Sequence, residues 1–432
     1  MPDNAPFRLA VAGLGTVASA TCYRLQHLAD MLATRAGRPL ELSAVSARDA
    51  TKERGFALSR TRWVQDPLAL AHDPALACVV ELIGGTDGVA LELTRTALIN
   101  GKHVVTANKA MLAVHGAELA ALADAHGVCI AYEAAVAGGI PIVKTMRETL
   151  AGNRMRKVTG ILNGTCNFIL TEMSRSGAAF DGVLAQAQEN GYAEADPTFD
   201  IDGIDAAHKL ALLAALAFGC PPDFASVRTE GVRHVSATDI AFAEELGYAI
   251  KLLGIASMSE HGLEQRVQPC LVPKTLPIAR VDGVFNAIAV EADAVGALML
   301  EGPGAGGDAT ASAVLSDVVD LARGHVLPAF AIPAAALAPL PAAAPEHHVG
   351  PFYVRMEVRD QPGVLADIAA CLRDHGISIE SLLQRGRNPY QAVPIVMTLH
   401  ETDEASLLAA LARIEALPIV LQPPRMLRIE KA

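Results

Sequence analysis

The sequence predicts an α/β protein with three parts: a doubly wound parallel sheet, an α+β middle domain and a C-terminal βαββαβ layer of ferredoxin-like type. Three observations carry this. A short apolar strand, Phe7–Ala12, runs into the turn Gly13-Leu14-Gly15 and then a helical segment. Strand and helix patterns alternate from there to Glu133, the order that produces parallel pairing. From Phe352 onward the periods read strand, helix, strand, strand, helix, strand. The boundaries that follow are 1–135 for the parallel sheet, 136–327 for the middle domain, whose last helix returns to the first sheet, 328–350 for a linker and 351–432 for the last layer.

In chain order, the first turn reads Gly13-Leu14-Gly15-Thr16-Val17-Ala18, a G-x-G-x-x-A fingerprint between a strand and a helix reaching Asp30. The first glycine allows a tight turn and the second lets backbone approach a pyrophosphate, while the helix start with Thr16 and Val17 offers free N–H groups. A Rossmann-type dinucleotide site is therefore expected. The second strand, 40–46, ends before Arg48, with Lys52 and Arg54 close behind. An arginine here suits the 2′-phosphate of NADP; Asp49 would bind the ribose of NAD if the turn were one residue longer. Further strands end near Thr86, Lys109 and Glu133, and functional residues of such sheets gather at strand carboxyl ends.

The middle domain begins with a small-residue segment, Ala134-Ala135-Val136-Ala137-Gly138-Gly139-Ile140. A strand over 157–162 ends in Asn163-Gly164-Thr165-Cys166-Asn167. The stretch from Gly191 to Gly219 then sets Glu194, Asp196, Asp200, Asp202 and Asp205 ahead of an apolar helix. Asp202 reads as its N-cap, and Asp205 and Lys209 lie one turn apart on a shared face. Taken alone, that pair also reads as a solvated ion pair with acids complementing the helix dipole. A calcium loop lacks its terminal glutamate. Residues 239–252 look helical, strands are expected near Ile255, over 265–271 and over 284–291, and the loop 302–310, with Gly306 in it, opens a helix to Arg323. Such a loop lets backbone come close to a ligand or simply connects. The Ala- and Pro-rich stretch 328–351 reads as a linker with some helix, and Pro362-Gly363 turns the last layer into its first helix.

Composition narrows the function. The chain has 432 residues, 35 basic against 47 acidic side chains and a formal charge of -12, with no basic block, which disfavours nucleic acid as a partner. Its seven cysteines form no CxxC pair, so neither a zinc site nor a disulfide framework is expected. The N-terminus lacks a signal-peptide pattern and the longest apolar run, 210–218, is too short for a bilayer. A soluble cytoplasmic protein is the expectation, with no membrane partner.

Six segments, VAGLGTVAS, VVTANKA, EAAVAGGIPI, GILNGTCNFIL, GYAEADPTFDIDGIDAAHKL and GPGAGGDATASAV, resemble in this order the signature segments of homoserine dehydrogenases, over about residues 8–327. The resemblance implies reversible NAD(P)-dependent reduction of L-aspartate 4-semialdehyde to L-homoserine in threonine and methionine biosynthesis. Lys209, oriented by Asp205, matches the catalytic lysine, and Lys109 is a second candidate that positions substrate and nicotinamide. Glu194 and Asp200 match the carboxylates that hold the substrate ammonium, and Phe199 stands where some members carry aspartate. The resemblance also implies a monovalent cation, usually sodium, near Glu133, Val136, Gly138 and Ile140, and puts Gly306 beside the cofactor. The turn 359–365 resembles the entry loop of ACT domains, which bind amino acids between paired domains. Asp360 would take an effector's ammonium and the N–H groups at Gly363 and Val364 its carboxylate, with threonine the expected effector. No aspartate kinase region precedes the glycine-rich loop, so a monofunctional enzyme is expected, as a homodimer or homotetramer. Another NADP-dependent amino-acid dehydrogenase and a non-catalytic amino-acid sensor are the competing readings.

Overall fold

The structure, a computed structural model, describes residues 5–385 and 392–431. Its first sheet contains β1 (Phe7–Ala12), β2 (Leu40–Ser46), β3 (Arg62–Trp63), β4 (Cys78–Glu81), β5 (His103–Thr106) and β6 (Ile130–Ala131). All pair in parallel, in the order β3-β2-β1-β4-β5-β6. Helices α1 (Thr16–His27), α2 (Ala29–Ala36), α3 (Leu68–His72), α4 (Val89–Ile99) and α5 (Lys109–Ala125) make the crossovers. Both faces of this sheet are covered, so the middles of its central strands are apolar on both sides; Val79, Val80, Val104 and Val105 are all fully buried. The order reverses beside β1, and the crevice outside β1 and β4 is where such sheets bind ligands.

A turn of helix, α6 (Ile142–Lys144), continues into a π-helical turn over Thr145–Thr149. The middle of the chain then gives β7 (Met155–Ile161), α7 (Gly164–Ser176), α8 (Phe180–Glu189), α9 (Thr198–Ile201) and α10 (Ile204–Phe218). After these come β8 (Arg228–Thr229), α11 (Ala237–Glu245), β9 (Tyr248–Ser259), β10 (Gly262–Pro273), β11 (Phe285–Ala292), β12 (Gly296–Pro303) and α12 (Gly307–Ala322). The last helix of that run returns to the first sheet: Val314 and Val318 join the core cluster of Leu9, Val11 and Val45. The C-terminal elements are β13 (Val349–Arg359), α13 (Val364–Asp374), β14 (Ile379–Gln384), β15 (Ala392–Asp403), α14 (Glu404–Glu415) and β16 (Arg425–Ile429).

Three local expectations are corrected. Helix α10 begins at Ile204, not at Asp202; its N-cap is Gly203 at φ 83, while Asp202 pairs with Arg233. The stretch read as one helix over 239–252 divides at Gly247 (φ 86), and its second half is β9, whose Ile250, Leu252 and Leu253 are buried in the sheet. Strand β12 was not expected, because Gly296, Gly302 and Pro303 mask its alternation. The linker is also less independent than its composition suggests: Leu263 N donates to Pro341 O at 2.8 Å and Phe330 is buried.

The second sheet is continuous across the middle and the C-terminal layer. Its order is β12-β11-β7-β9-β10-β16-β13-β15-β14, with β8 also on β10. The join is parallel pairing of Cys270 with Arg428 and Leu271 with Ile429. Around it lies a charge cluster, buried except for half-buried Glu264, in which Arg266 and Arg428 each meet Glu264 at 2.9 Å, Arg266 also meets Glu430, and Arg428 meets Glu404. Fully buried Asp239, capping α11, accepts from Tyr353 Oη at 3.0 Å and Arg355 Nε at 2.7 Å. These charges are desolvated and compensated across the seam, so neither half can leave without stranding the other.

Gly13 sits at φ 84, and a Cβ there would lie 2.5 Å from Leu82 O. Gly13→Ala is expected to cost about 2 kcal/mol or more in unfolding free energy, read as a lowered urea midpoint without cofactor.

Candidate active site

Helix α10 is buried on all sides from Asp205 to Leu216, so a lysine within it must find its hydrogen-bond partners inside the protein. Lys209 Nζ donates to Asp205 Oδ2 at 2.7 Å and to the carbonyl of Leu162, at the end of β7, at 2.6 Å. Two of its three ammonium donors are thereby used. Lys109, the first residue of α5, brings its Nζ to 3.1 Å from the other oxygen, Asp205 Oδ1, and its side chain stays 30% exposed. One carboxylate is thus shared by two ammonium groups, one deep and one facing the cleft. Asn163, in the turn after β7, donates from Nδ2 to Asp205 Oδ2 at 2.9 Å and to Asp200 Oδ1 at 2.8 Å.

The electrostatics follow from this packing. Burial pushes the Asp205 carboxyl up, but Lys209, Lys109 and Asn163 outweigh it and hold it far below the usual range. Burial lowers the Lys209 ammonium, with Lys109 adding to the effect and Asp205 opposing it. Asp200 is raised, chiefly by burial. The result is an ionised carboxylate next to a lysine that gives up its proton more readily than a free one. Phe199 lies over Lys109 at 6.0 Å and against His208 at 5.6 Å, forming an aromatic wall. Glu194 is exposed, and among the described residues nothing ties its carboxylate to the cluster. Burial raises the Cys166 thiol well above its ordinary value, which makes it unreactive.

Of the cofactor candidates, Gly13, Gly15 and Arg48 line a groove of about 850 Å³ at the switch point, together with Asp49, Lys52 and Val89, whereas Thr16, Val17, Thr86, Lys109 and Gly306 lie outside its walls. Helix α1 has no side-chain cap and no acid in its first turn, and Gly15 faces open space. Thr16 and Val17 follow at its start. That donor set fits a pyrophosphate. Thr86 is half-buried in the loop after β4, which is fixed by Glu81: Oε1 accepts from Ile83 N at 2.7 Å and Oε2 from Thr106 Oγ1 at 2.6 Å. Gly306, at φ 107, caps α12, and a Cβ on Gly307 would stand 3.1 Å from Thr16 Cγ2, so the two helix starts adjoin. The candidate cation segment turns at Ala137 (φ 57) and Gly138 (φ 54), ahead of Ile140 and after Val136. Glu133 lies beside it, but its carboxylate already accepts from Val143 N at 2.9 Å and Lys144 N at 2.8 Å. Among the described residues no group of three His, Cys, Asp or Glu side chains is arranged for a metal. In the last layer, Gly363 (φ 98) precedes α13, Val364 is buried at its start and Asp360 lies half-buried just before.

Residues 13–133 match the NAD-binding domain of homoserine dehydrogenase, 141–319 its homoserine dehydrogenase domain and 352–419 the ACT domain. A homoserine dehydrogenase of Neisseria gonorrhoeae is 44% identical over 431 residues, 98% of this chain and 99% of that one. The chain belongs to the homoserine dehydrogenase family. A Pseudomonas aeruginosa homoserine dehydrogenase is likewise 44% identical, over 99% of each chain. The crystal structure of a homoserine dehydrogenase from Thiobacillus denitrificans superposes with a TM-score of 0.93 at 46% identity, covering 99% of this chain and 98% of that one. As a homoserine dehydrogenase the chain is an NAD(P)-dependent oxidoreductase acting on a CH-OH group, with an ACT domain at its C-terminus. Among the described residues no helix is long and apolar enough to cross a membrane.

The residues missed from sequence are those holding the named ones: Asn163, the Leu162 carbonyl, Thr165 and Glu81. Asn163 stands immediately before α7, where an asparagine heading a helical segment could have been read as its N-cap.

Because Asp205 is depressed in the folded state, its stabilisation is fully present above the ordinary carboxyl range and is lost as pH falls through the lower folded value. Asp205→Asn should cost about 3 kcal/mol at pH 7 by leaving two lysines uncompensated, with the same deficit at every pH from 5 to 8 in urea melts.

Proposed function

We infer that the protein interconverts L-homoserine and L-aspartate 4-semialdehyde with a nicotinamide cofactor. The observation that carries this is the buried Asp205 carboxylate shared between Lys209 and Lys109. A bound nicotinamide supplies the hydride donor or acceptor at the reacting carbon. Lys209, with its remaining ammonium donor, gives the proton to the aldehyde oxygen, and its neutral amine takes it back in the oxidative direction. A lowered ammonium makes both exchanges easier near neutral pH. Asp205 keeps Lys209 aimed and compensates its charge. Lys109, at the open side, positions the substrate and the nicotinamide. The α-ammonium of homoserine needs acceptor-only partners, and Asp200 and Glu194 are offered for it. An intact lysine and aspartate set disfavours a non-catalytic sensor.

NADP is the preferred cofactor in this reading. Asp49, the competing NAD ligand, is engaged in its own loop, accepting from Thr51 N at 2.8 Å and Thr51 Oγ1 at 2.7 Å, whereas Arg48 and Lys52 both line the groove. The cation near Glu133, Val136, Gly138 and Ile140 would be held mainly by backbone carbonyls around the positive-φ turn at Ala137 and Gly138; sodium suits oxygen ligands of this kind. An amino-acid effector, threonine first, would bind through Asp360, Gly363 and Val364. A dimer or tetramer is favoured by the half-exposed Leu298, Met299 and Leu300 on the edge strand β12, and a cytoplasmic location by seven free cysteines.

The direct test is homoserine-dependent reduction of NADP followed at 340 nm. Lys209→Ala should lower kcat by about a hundredfold or more, the range of a general acid or base. Arg48→Ala should raise the KM for NADP about tenfold and leave NAD nearly unchanged, the effect of one charge-assisted hydrogen bond. Since β16 completes the edge of β10, regulation is better tested in the full chain than by truncation: Asp360→Ala should blunt inhibition by threonine with unchanged kcat in its absence.

A further inference from the structure

The turn between β7 and α7 contains a side chain whose orientation is dictated by three groups at once. Asn163 is the N-cap of α7: its Oδ1 accepts from Cys166 N at 2.8 Å. Its Nδ2 faces two carboxylates, Asp200 Oδ1 at 2.8 Å and Asp205 Oδ2 at 2.9 Å. Carboxylates only accept, and the helix N–H only donates, so the amide can sit only this way round. Asn163 is buried, and the two aspartates it joins come from different elements, α9 and α10. The next residues continue the pattern. Thr165 Oγ1 donates to Tyr192 O at 2.7 Å, and the Cys166 thiol donates to Asp200 O at 3.2 Å, so the start of α7 also holds the loop that carries Glu194.

We propose that Asn163 is a positioning residue for the reaction: its amide sets the separation of Asp200 and Asp205 and thereby holds the proton-donating ammonium of Lys209 against the substrate-binding carboxylates. This rests on the reaction assigned above. Two carboxylates side by side in a buried site repel, and one amide group donating to both offsets that repulsion without adding charge. A lysine in its place would neutralise Asp205 and compete with Lys209; an apolar residue would take the donor from Asp200 Oδ1 and leave Asp205 Oδ2 to Lys209 alone. The groups facing Lys209 are Asp205 on its own helix, Lys109 from α5, Asp200 from α9 and Cys166 from α7. Any change at position 163 is therefore read out through a balance of two cations and two anions.

The fold provides a clean separation of roles, because serine and aspartate are both good N-caps and keep the bond to Cys166 N. Asn163→Ser removes only the bridge. Asp205 is then free to turn from Lys209, so the Lys209 titration, followed by NMR with 13C-labelled lysine, should move to lower pH. Asn163→Asp keeps the cap but adds a third anion, and the same titration should move up by about one pH unit. In both variants the KM for homoserine should rise about tenfold, as a hydrogen-bonded carboxylate loses its place. The pH profile of kcat/KM should shift in the same opposed directions. Unshifted Lys209 titrations in both variants, or a loss of kcat that is equal at every pH and tracks a lowered Tm, would overturn the proposal by reducing Asn163 to a helix cap. If the parent protein fails to oxidise homoserine, the reaction assignment falls instead, and the NMR titrations still decide the positioning role.

Discussion

A lysine inside an apolar helix packed between a sheet and another helix is tolerable only if its charge is compensated, and the arrangement around Asp205 is the solution that this fold adopts. The carboxylate meets Lys209 at 2.7 Å and Lys109 at 3.1 Å, and Asn163 holds it from a third side. Each partner comes from a different part of the chain: α10, the start of α5 and the turn after β7. The first sheet and the middle domain must therefore dock in one register for the site to exist. α12, which leaves the middle domain and packs on α1, fixes that register from the far side.

The same logic recurs at the second junction. The C-terminal layer does not hang from a tether, because β16 pairs with β10 and the buried charges of Arg266, Arg428, Glu404 and Glu430 meet there with half-buried Glu264. Asp239 carries the connection further, linking α11 to Tyr353 and Arg355 on β13. Helix α11 packs in turn against α7, whose first residues hold Asp200 and Asp205. An ACT layer built into the sheet of the middle domain in this way is joined to the site through rigid elements.

Much of the fold was legible because local patterns were strong. The strands Phe7–Ala12, Leu40–Ser46 and His103–Thr106 are short and mainly apolar and β-branched at their centres, and the Gly-x-Gly turn admits few alternatives. The expectations that failed are those in which tertiary packing overrode the local signal. Ile250 to Leu253 continue a helical period yet lie in a sheet, and Asp202 looked like a cap although the chain turns one residue later through Gly203. β12 is hidden by its glycines and proline.

By itself the sequence determined the layer types, the nucleotide crevice, the family resemblance and the identities of the chemical groups, because these depend on period, turn chemistry and motif order over short spans. Only the tertiary structure decided which of those groups meet. Asn163 and Asp205 are separated by 42 positions, Lys109 and Asp205 by far more, and no periodicity reports a hydrogen bond over such a span. It also decided that Glu194 stays exposed and that the last layer extends the middle sheet, since both follow from how buried charges and unpaired strand edges find partners once the chain has closed.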